Sequence, residues 1–271
     1  MTLEQKNSRR RGHSRINLFK VLLYGFAGVI LAFLVVPAFM SLPMSFTSTQ
    51  YLVFPPKGFS LKWYNVFLTD EDWVKATLLS LRVAFLSSAF SLIIGTLGAL
   101  VLVRGSLPGK RILNMFFISP MMIPTIIIAF AAYGLIAKLG LIGSTTGMVL
   151  AHSVICIPFV ILVVSANLYR LDISLELAAR NLGANAFKAF LYVAFPMIKM
   201  GIIAAGIFCF ITSLDELVIA MFVIGTTKMT LPIKIFSQIQ VHIFPVVAAA
   251  SSVFVFASIA IVISLAFLRR R

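Results

Sequence analysis

Acidic side chains are scarce in this 271-residue chain, where eight Asp and Glu stand against 23 Lys and Arg. Charged residues of both signs make up 11% of the sequence, well below the ~25% of an ordinary soluble domain. The two cysteines, Cys156 and Cys209, both lie in apolar runs, so a disulfide framework and a thiolate metal site are excluded. The three histidines have no ligand spacing, H-E-x-x-H is missing, and no Ser/His/Asp set sits at a common depth. No catalytic residue and no metal site are therefore expected. A nucleotide-binding loop is absent too. Its faint likeness, Gly105 through Gly109, Lys110 and Arg111, has one residue too few between the glycines and Arg where Ser or Thr must bind magnesium. It reads as a basic membrane turn. A chain of this kind binds no cofactor of its own, and any energy from ATP must come through another chain.

What the chain has in abundance is apolar length. It is 61% hydrophobic with a mean hydropathy of +1.05, which predicts an all-α polytopic membrane protein. At ~20 residues per pass, six transmembrane helices fit, over about 21–40, 76–103, 112–136, 145–168, 197–223 and 244–268. The first run is too long for a signal peptide and lacks a small-residue cleavage site, so it is read as an uncleaved span. Pro120 and Pro124 predict a kinked third span. The connections include a polar and aromatic one, 41–75, with the acidic Asp70, Glu71 and Asp72, and a later one carrying an amphipathic piece over 233–241. Two domains result: a basic cytoplasmic tail over 1–20 and a six-helix membrane domain over 21–271.

The net charge of +15 could point to nucleic acid. In so apolar a chain, loop asymmetry explains it better, and membrane lipid is the expected partner. With six spans both termini share a side. That side holds sixteen Lys and Arg, and the other holds Lys57, Lys62, Lys75, Arg82, Lys138, Lys228 and Lys234. The bias places both termini in the cytoplasm, together with the polar stretch 172–196.

That stretch is helical in composition, with Gly183 midway and Pro196 at its end. Ser174 as N-cap would put Glu176 at the second helical position, where the helix dipole favours a carboxylate. Ala178, Ala179, Leu182 and Phe187 fall on or near one side. Ala178-Ala179, three residues, Gly183, nine residues, then Val193-Ala194-Phe195-Pro196 resembles the EAA loop of ABC importer permeases. The family pattern is E-A-A, three residues, G, nine residues, I, any, L, P. Leu177 stands where the family has Glu, and Glu176 lies one place earlier. Further likeness to the polyamine-type branch, the spermidine/putrescine permeases, is carried by Phe59–Tyr64, Ser80-Leu81-Arg82, Ile157-Pro158-Phe159, Ser213–Leu217 and Thr230-Leu231-Pro232-Ile233.

The resemblance implies a type I ABC importer permease fold in a bacterial inner membrane. The chain would be half of an alternating-access path, paired with a second permease subunit. Its further partners would be a cytoplasmic ATPase dimer holding ATP and Mg and an external solute-binding protein. The coupling residues implied are Glu176, Ala178, Ala179, Gly183, Ala184, Phe187 and Pro196. A polyamine is the implied solute, with opines, aminophosphonates or other small organic solutes behind it. A self-sufficient secondary carrier or channel is the competing reading, and an intramembrane enzyme is third. Among ionisable residues within the spans, Asp215, Glu216 and Arg82 are candidates for the substrate path, and an Arg82–Asp215 structural ion pair is the plainer alternative. His152 is read as an interhelical hydrogen-bonding group. Gly95, Gly98, Ala99, Gly201, Ala205 and Gly206 are read as sites of close helix packing.

Overall fold

The computed structural model describes residues 18–269 except 227, 242 and 243. Most of the basic tail over 1–20, with its assigned side, lies outside the described residues, as do Arg270 and Arg271. Among the described residues every regular element is helical. Helix α1 (Leu18–Ser45) is followed by the short α2 (Lys62–Thr69) and by α3 (Glu71–Arg104). The acidic cluster that reads as part of a connection instead starts α3. The Asp70 carboxylate accepts from the amides of Asp72 and Trp73, 3.1 Å each, and Glu71 and Asp72 lie at the positive end of the helix dipole. With 34 residues, α3 is about 50 Å long and outreaches a ~30 Å hydrocarbon core.

The third pass is broken rather than kinked. Helix α4 (Lys110–Ile118) runs into a 3₁₀ turn over Ser119–Met122. Ile123 is extended, as the residue before a proline must tend to be, and α5 (Thr125–Lys138) starts after Pro124. The two arms meet at 108°. Neither alone, at 9 and 14 residues, spans the ~20 residues that a bilayer requires. Helix α6 (Thr145–Arg170) is continuous through Pro158.

The fifth pass departs from expectation at both ends. Pro196 does not close the preceding loop. Helices α7 (Ile173–Asn181) and α8 (Ala186–Ala189) are followed by a π-helical turn over Phe190–Ala194 and by α9 (Phe195–Asp215). Ala186–Asp215 forms one 30-residue helix. Pro196 has no N–H to donate to the preceding turn, and the wider π turn ahead of it lets the helix pass through. At the far end the helix stops at Asp215, short of the predicted 223. Glu216 is extended. Its carboxylate accepts from the amides of Ile219 at 2.7 Å and Ala220 at 3.2 Å, which starts a new short helix, α10 (Val218–Val223). Helix α11 (Leu231–Val241) contains the predicted amphipathic piece.

Among the described residues four helices are long and apolar enough to cross a membrane, and counting the bent α4–α5 pair as one broken pass brings the number to five. The expected sixth falls on α12 (Pro245–Arg269), whose described apolar stretch, Pro245–Ala260, is shorter than the others. Helices α3, α6 and α9 pack on one another at the centre. One apolar cluster joins α3, α5, α6 and α10, and another joins α3, α6 and α9. The small residues work within the chain. A Cβ on Gly95 would lie 2.6 Å from Val160 of α6, and one on Gly201 of α9 would lie 2.5 Å from the Asn167 side chain. His152 Nδ1 and Ser213 Oγ lie 2.8 Å apart across α6 and α9. The thiols of Cys156 and Cys209 each donate to the other's carbonyl, at 3.7 and 3.6 Å.

Overpacking at such a contact costs about 1–3 kcal/mol. Gly95→Ala is therefore expected to lower the thermal midpoint of the detergent-solubilised protein by several degrees. Gly134→Ala, whose Cβ would meet nothing within 4 Å, is expected to leave it unchanged or raised, since Ala is the better helix former. Equal midpoints for the two variants would contradict the packing described.

Candidate functional site

The stretch 172–196 lies at the end of the bundle where α3 stops and α6 gives way to α7. Asp172, not Ser174, is the N-cap: its carboxylate accepts from the Ser174 amide at 2.9 Å. That hydrogen bond holds the Asp172 carboxyl below its ordinary value of 3.8. The cap is thus present above the ordinary carboxylate pKa and is lost as pH falls through the depressed one. Glu176 consequently sits at the fourth helical position rather than the second.

Helix α7 ends in a Schellman turn. The Gly183 amide donates to the Arg180 carbonyl at 3.0 Å, and the Ala184 amide to the Ala179 carbonyl at 3.1 Å. This turn needs a left-handed residue after the cap, and Gly183 supplies it at φ +93°. Asn185 then caps α8, its side-chain oxygen accepting from the Lys188 amide at 2.8 Å. Two capped helices joined by Gly183 form the predicted unit, and the second is the start of the membrane helix that ends at Asp215.

Glu176 does not face outward. Arg104, the last residue of α3, donates to its Oε1 through Nε at 2.9 Å, and the Arg104 Nη2 lies 2.8 Å from the same oxygen. Nη2 also donates to the Leu171 carbonyl at 3.1 Å. The two side chains are only 19% and 14% exposed. Sequence reasoning missed Arg104 because it read it as one more cation of a basic turn. A signal was present: between Asp72 and Asp215 the chain has only two acids, Asp172 and Glu176, amid many cations.

The apolar members of the unit remain outside. Leu182 is 90% and Phe187 69% exposed, Leu177 and Ala178 are exposed, and Ala179 and Ala184 are half-buried. Pro196 lies in the first turn of α9 and is exposed. Beneath the unit, beside the Arg104–Glu176 contact, lies a cavity of about 720 Å³ lined by Leu97, Val101, Arg104, Leu177, Phe187 and Phe195 among others.

The candidate path residues are not brought together in the same way. Among the described residues the ion pairs are Lys75–Glu71, Arg104–Glu176 and Lys234–Asp72, so the Arg82–Asp215 pair does not form. Arg82 is exposed on α3 and Asp215 is exposed at the end of α9. The Glu216 carboxylate is committed to the amides of α10.

The Arg104–Glu176 contact should restrain α7. Loss of a hydrogen bond to a charged group costs about 1.5–3 kcal/mol. Arg104→Ala is expected to speed amide hydrogen exchange over 173–181 by about ten- to a hundredfold, as is Glu176→Ala, with the double variant no faster than either. Additive effects of the two single changes would show that the pair does not act as one contact.

The model of the family described as "Binding-protein-dependent transport system inner membrane component" matches residues 91–271. The chain is 36% identical over 239 residues to the putrescine transport system permease protein PotI of Escherichia coli (strain K12), covering 86% of this chain and 83% of that protein. It is 29% identical over 245 residues to the spermidine/putrescine transport system permease protein PotC of the same strain, covering 90% and 92%. Its fold matches a chain of a bacterial ABC transporter involved in the import of the acidic polysaccharide alginate, with a TM-score of 0.71 at 17% identity over 93% and 96% of the two chains. The chain belongs to the family of binding-protein-dependent transport system inner membrane components. It is a multi-pass inner-membrane permease subunit of an ABC importer and not itself an enzyme, since ATP hydrolysis belongs to a separate subunit. Such permeases work with a permease partner, an ATPase and a binding protein. The self-sufficient carrier and the intramembrane enzyme are thereby set aside.

Proposed function

We propose that this chain forms one half of an alternating-access path, and that its 172–196 unit is the element that a cytoplasmic ATPase dimer grips. In this reading the ATPase holds ATP and Mg, a second permease supplies the other half of the path, and a solute-binding protein delivers cargo from outside. Both termini face the cytoplasm. The observation that carries the proposal is the mechanical continuity of the unit. Its α8 end is one helix with α9 out to Asp215, and its α7 end is tied through Glu176 to Arg104 of α3. A displacement of the exposed Leu177, Leu182 and Phe187 edge therefore acts on two membrane helices at once.

A polyamine such as putrescine or spermidine is the proposed solute. It is supported by what the relatives' names say they transport. The exposed Asp215 carboxylate is suited to a solute amine, with Arg82 the opposing charge on α3 and Glu216 the residue that positions Asp215 by ending α9.

Gly183→Asp tests the coupling. Within this chain a side chain there meets nothing within 4 Å, so the internal cost is the left-handed backbone, about 1–2 kcal/mol. The variant is expected to insert normally, to lose co-purification with the ATPase, and to lose uptake of labelled putrescine. Normal recovery and uptake would refute the docking role. For the path, Asp215→Asn is expected to lower putrescine uptake at unchanged abundance. Glu216→Gln is expected to speed hydrogen exchange over 218–220. If Asp215→Asn changes only abundance, the carboxylate has no part in handling solute.

A further inference from the structure

We propose that the cavity between α4 and α6, at the 172–196 end of the bundle, binds one anionic phospholipid of the cytoplasmic leaflet. It encloses about 540 Å³, within the ~300–1,000 Å³ of small-molecule sites. Its wall is apolar, from Val103, Ile118, Ile161 and Leu162, and its mouth carries Lys110, Arg111, Asn114 and Tyr169. None of these four polar side chains has a hydrogen-bond or ion-pair partner among the described residues. Ser165, also on the lining, has a buried Oγ with no partner. No acid lines the cavity. Helix α4 starts after Gly109, at φ +76°, and no side chain caps that start.

The arrangement is graded along α4. Lys110 and Arg111 stand at its first turn and Ile118 at its last, about 12 Å further along the axis. A ligand that meets both ends needs a compact anion joined to an apolar chain. A free phosphate leaves the apolar wall uncovered, and a bare acyl chain leaves two cations and a buried hydroxyl unmet. A phospholipid with a net negative headgroup satisfies both, and the cytoplasmic leaflet is where such a headgroup meets basic residues at helix ends. The end of the bundle is set by contacts: Leu102 and Val103 precede the Arg104 that binds Glu176, and Tyr169 precedes the Leu171 whose carbonyl Arg104 holds. The leaflet assignment rests on the cytoplasmic placement of the 172–196 unit, whereas the site itself does not.

The test uses the intact importer complex, purified in mild detergent, stripped of lipid, and titrated with phosphatidylglycerol or phosphatidylcholine under native mass spectrometry. One phosphatidylglycerol per copy of this chain is expected in preference to phosphatidylcholine. Lys110→Gln/Arg111→Gln should weaken it roughly thirtyfold, from about 1 kcal/mol per cation. Lys188→Gln, outside the cavity, should not. Millimolar inorganic phosphate should not displace it. Equal binding of the two lipids by the unaltered complex, an unchanged double variant, or displacement by phosphate would each overturn the site. A cross-link from Asn114→Cys to a second permease chain would also overturn it, by showing that protein fills the cavity. The leaflet is read separately from Asn114→Cys: labelling by an impermeant maleimide is expected in inside-out vesicles, and labelling only in right-side-out vesicles overturns the assignment. Lipid binding that persists in the Gly183→Asp permease, purified with its permease partner but without the ATPase, separates failure of ATPase docking from failure of this site.

Discussion

Three pieces of backbone converge on the Arg104 guanidinium: the last turn of α3, the Leu171 carbonyl after α6, and α7 through Glu176. The pair is largely shielded from water, and a charge left alone at such a site is costlier than the pair is favourable. Neither partner is free to leave without the other. This matters because α7 has little else to hold it. It has nine residues, none of them buried, and isolated helices shorter than ~12–15 residues are marginal in water. The Asp172 cap and the Schellman turn at Gly183 define its ends, it leans on α8 and the Phe190–Ala194 turn, and the Arg104 contact ties it to α3. A helix with no buried residue gains little from a core, and a shielded ion pair anchors it instead.

The passes themselves obey a second constraint. Backbone amides and carbonyls within a bilayer must find partners, so irregular backbone is tolerated only where protein supplies them. Both breaks in this chain conform. At Asp215–Leu217 the Glu216 carboxylate takes up the amides of Ile219 and Ala220. At Ile123–Pro124 the proline has no amide to satisfy, and the Ile123 amide donates to the Pro120 carbonyl at 3.3 Å. The π turn before Pro196 is the third device, and it gives the opposite outcome: it keeps a helix whole where a proline would otherwise end it. Proline thus breaks the third pass and spares the fifth. The difference lies in the surroundings. Pro124 starts a helix after an extended Ile123, whereas Ala194 and Ile198 on either side of Pro196 are buried in the α3–α6–α9 cluster.

That contrast also marks what could be read from residues alone. Apolar run length located the passes, because burial in lipid is a property of composition. Spacing located the Gly183 turn, because only a glycine fits a left-handed cap at no cost. The small residues Gly95 and Gly201 and an interhelical hydrogen bond at His152 followed from general rules of helix packing, though not its partner Ser213. The helix starts at Asp70 and Asp172 and the stop at Asp215 did not, because each is decided by which carboxylate reaches which amide, and composition is silent on that. Arg104–Glu176 was hidden for a different reason: its partners are 72 residues apart, so no periodicity joins them.

At Leu177 the chain departs from the family pattern. The family carboxylate would sit there, and here an exposed leucine does. Glu176, one residue earlier, is rotated about 100° around the helix, far enough to turn inward to Arg104. The chain has thus kept its one acid on α7 but uses it to hold the helix to its own bundle, and it leaves an exposed apolar edge of Leu182, Leu177 and Phe187, the last two bordering the cavity beneath the unit. A partner surface that accepts this edge gains by burying apolar area rather than by pairing charge. Such an interaction weakens little with ionic strength, whereas one built on an exposed Glu would be screened. On the docking proposed above, the complex with the ATPase should therefore be less sensitive to salt than that of a relative that carries Glu at that position.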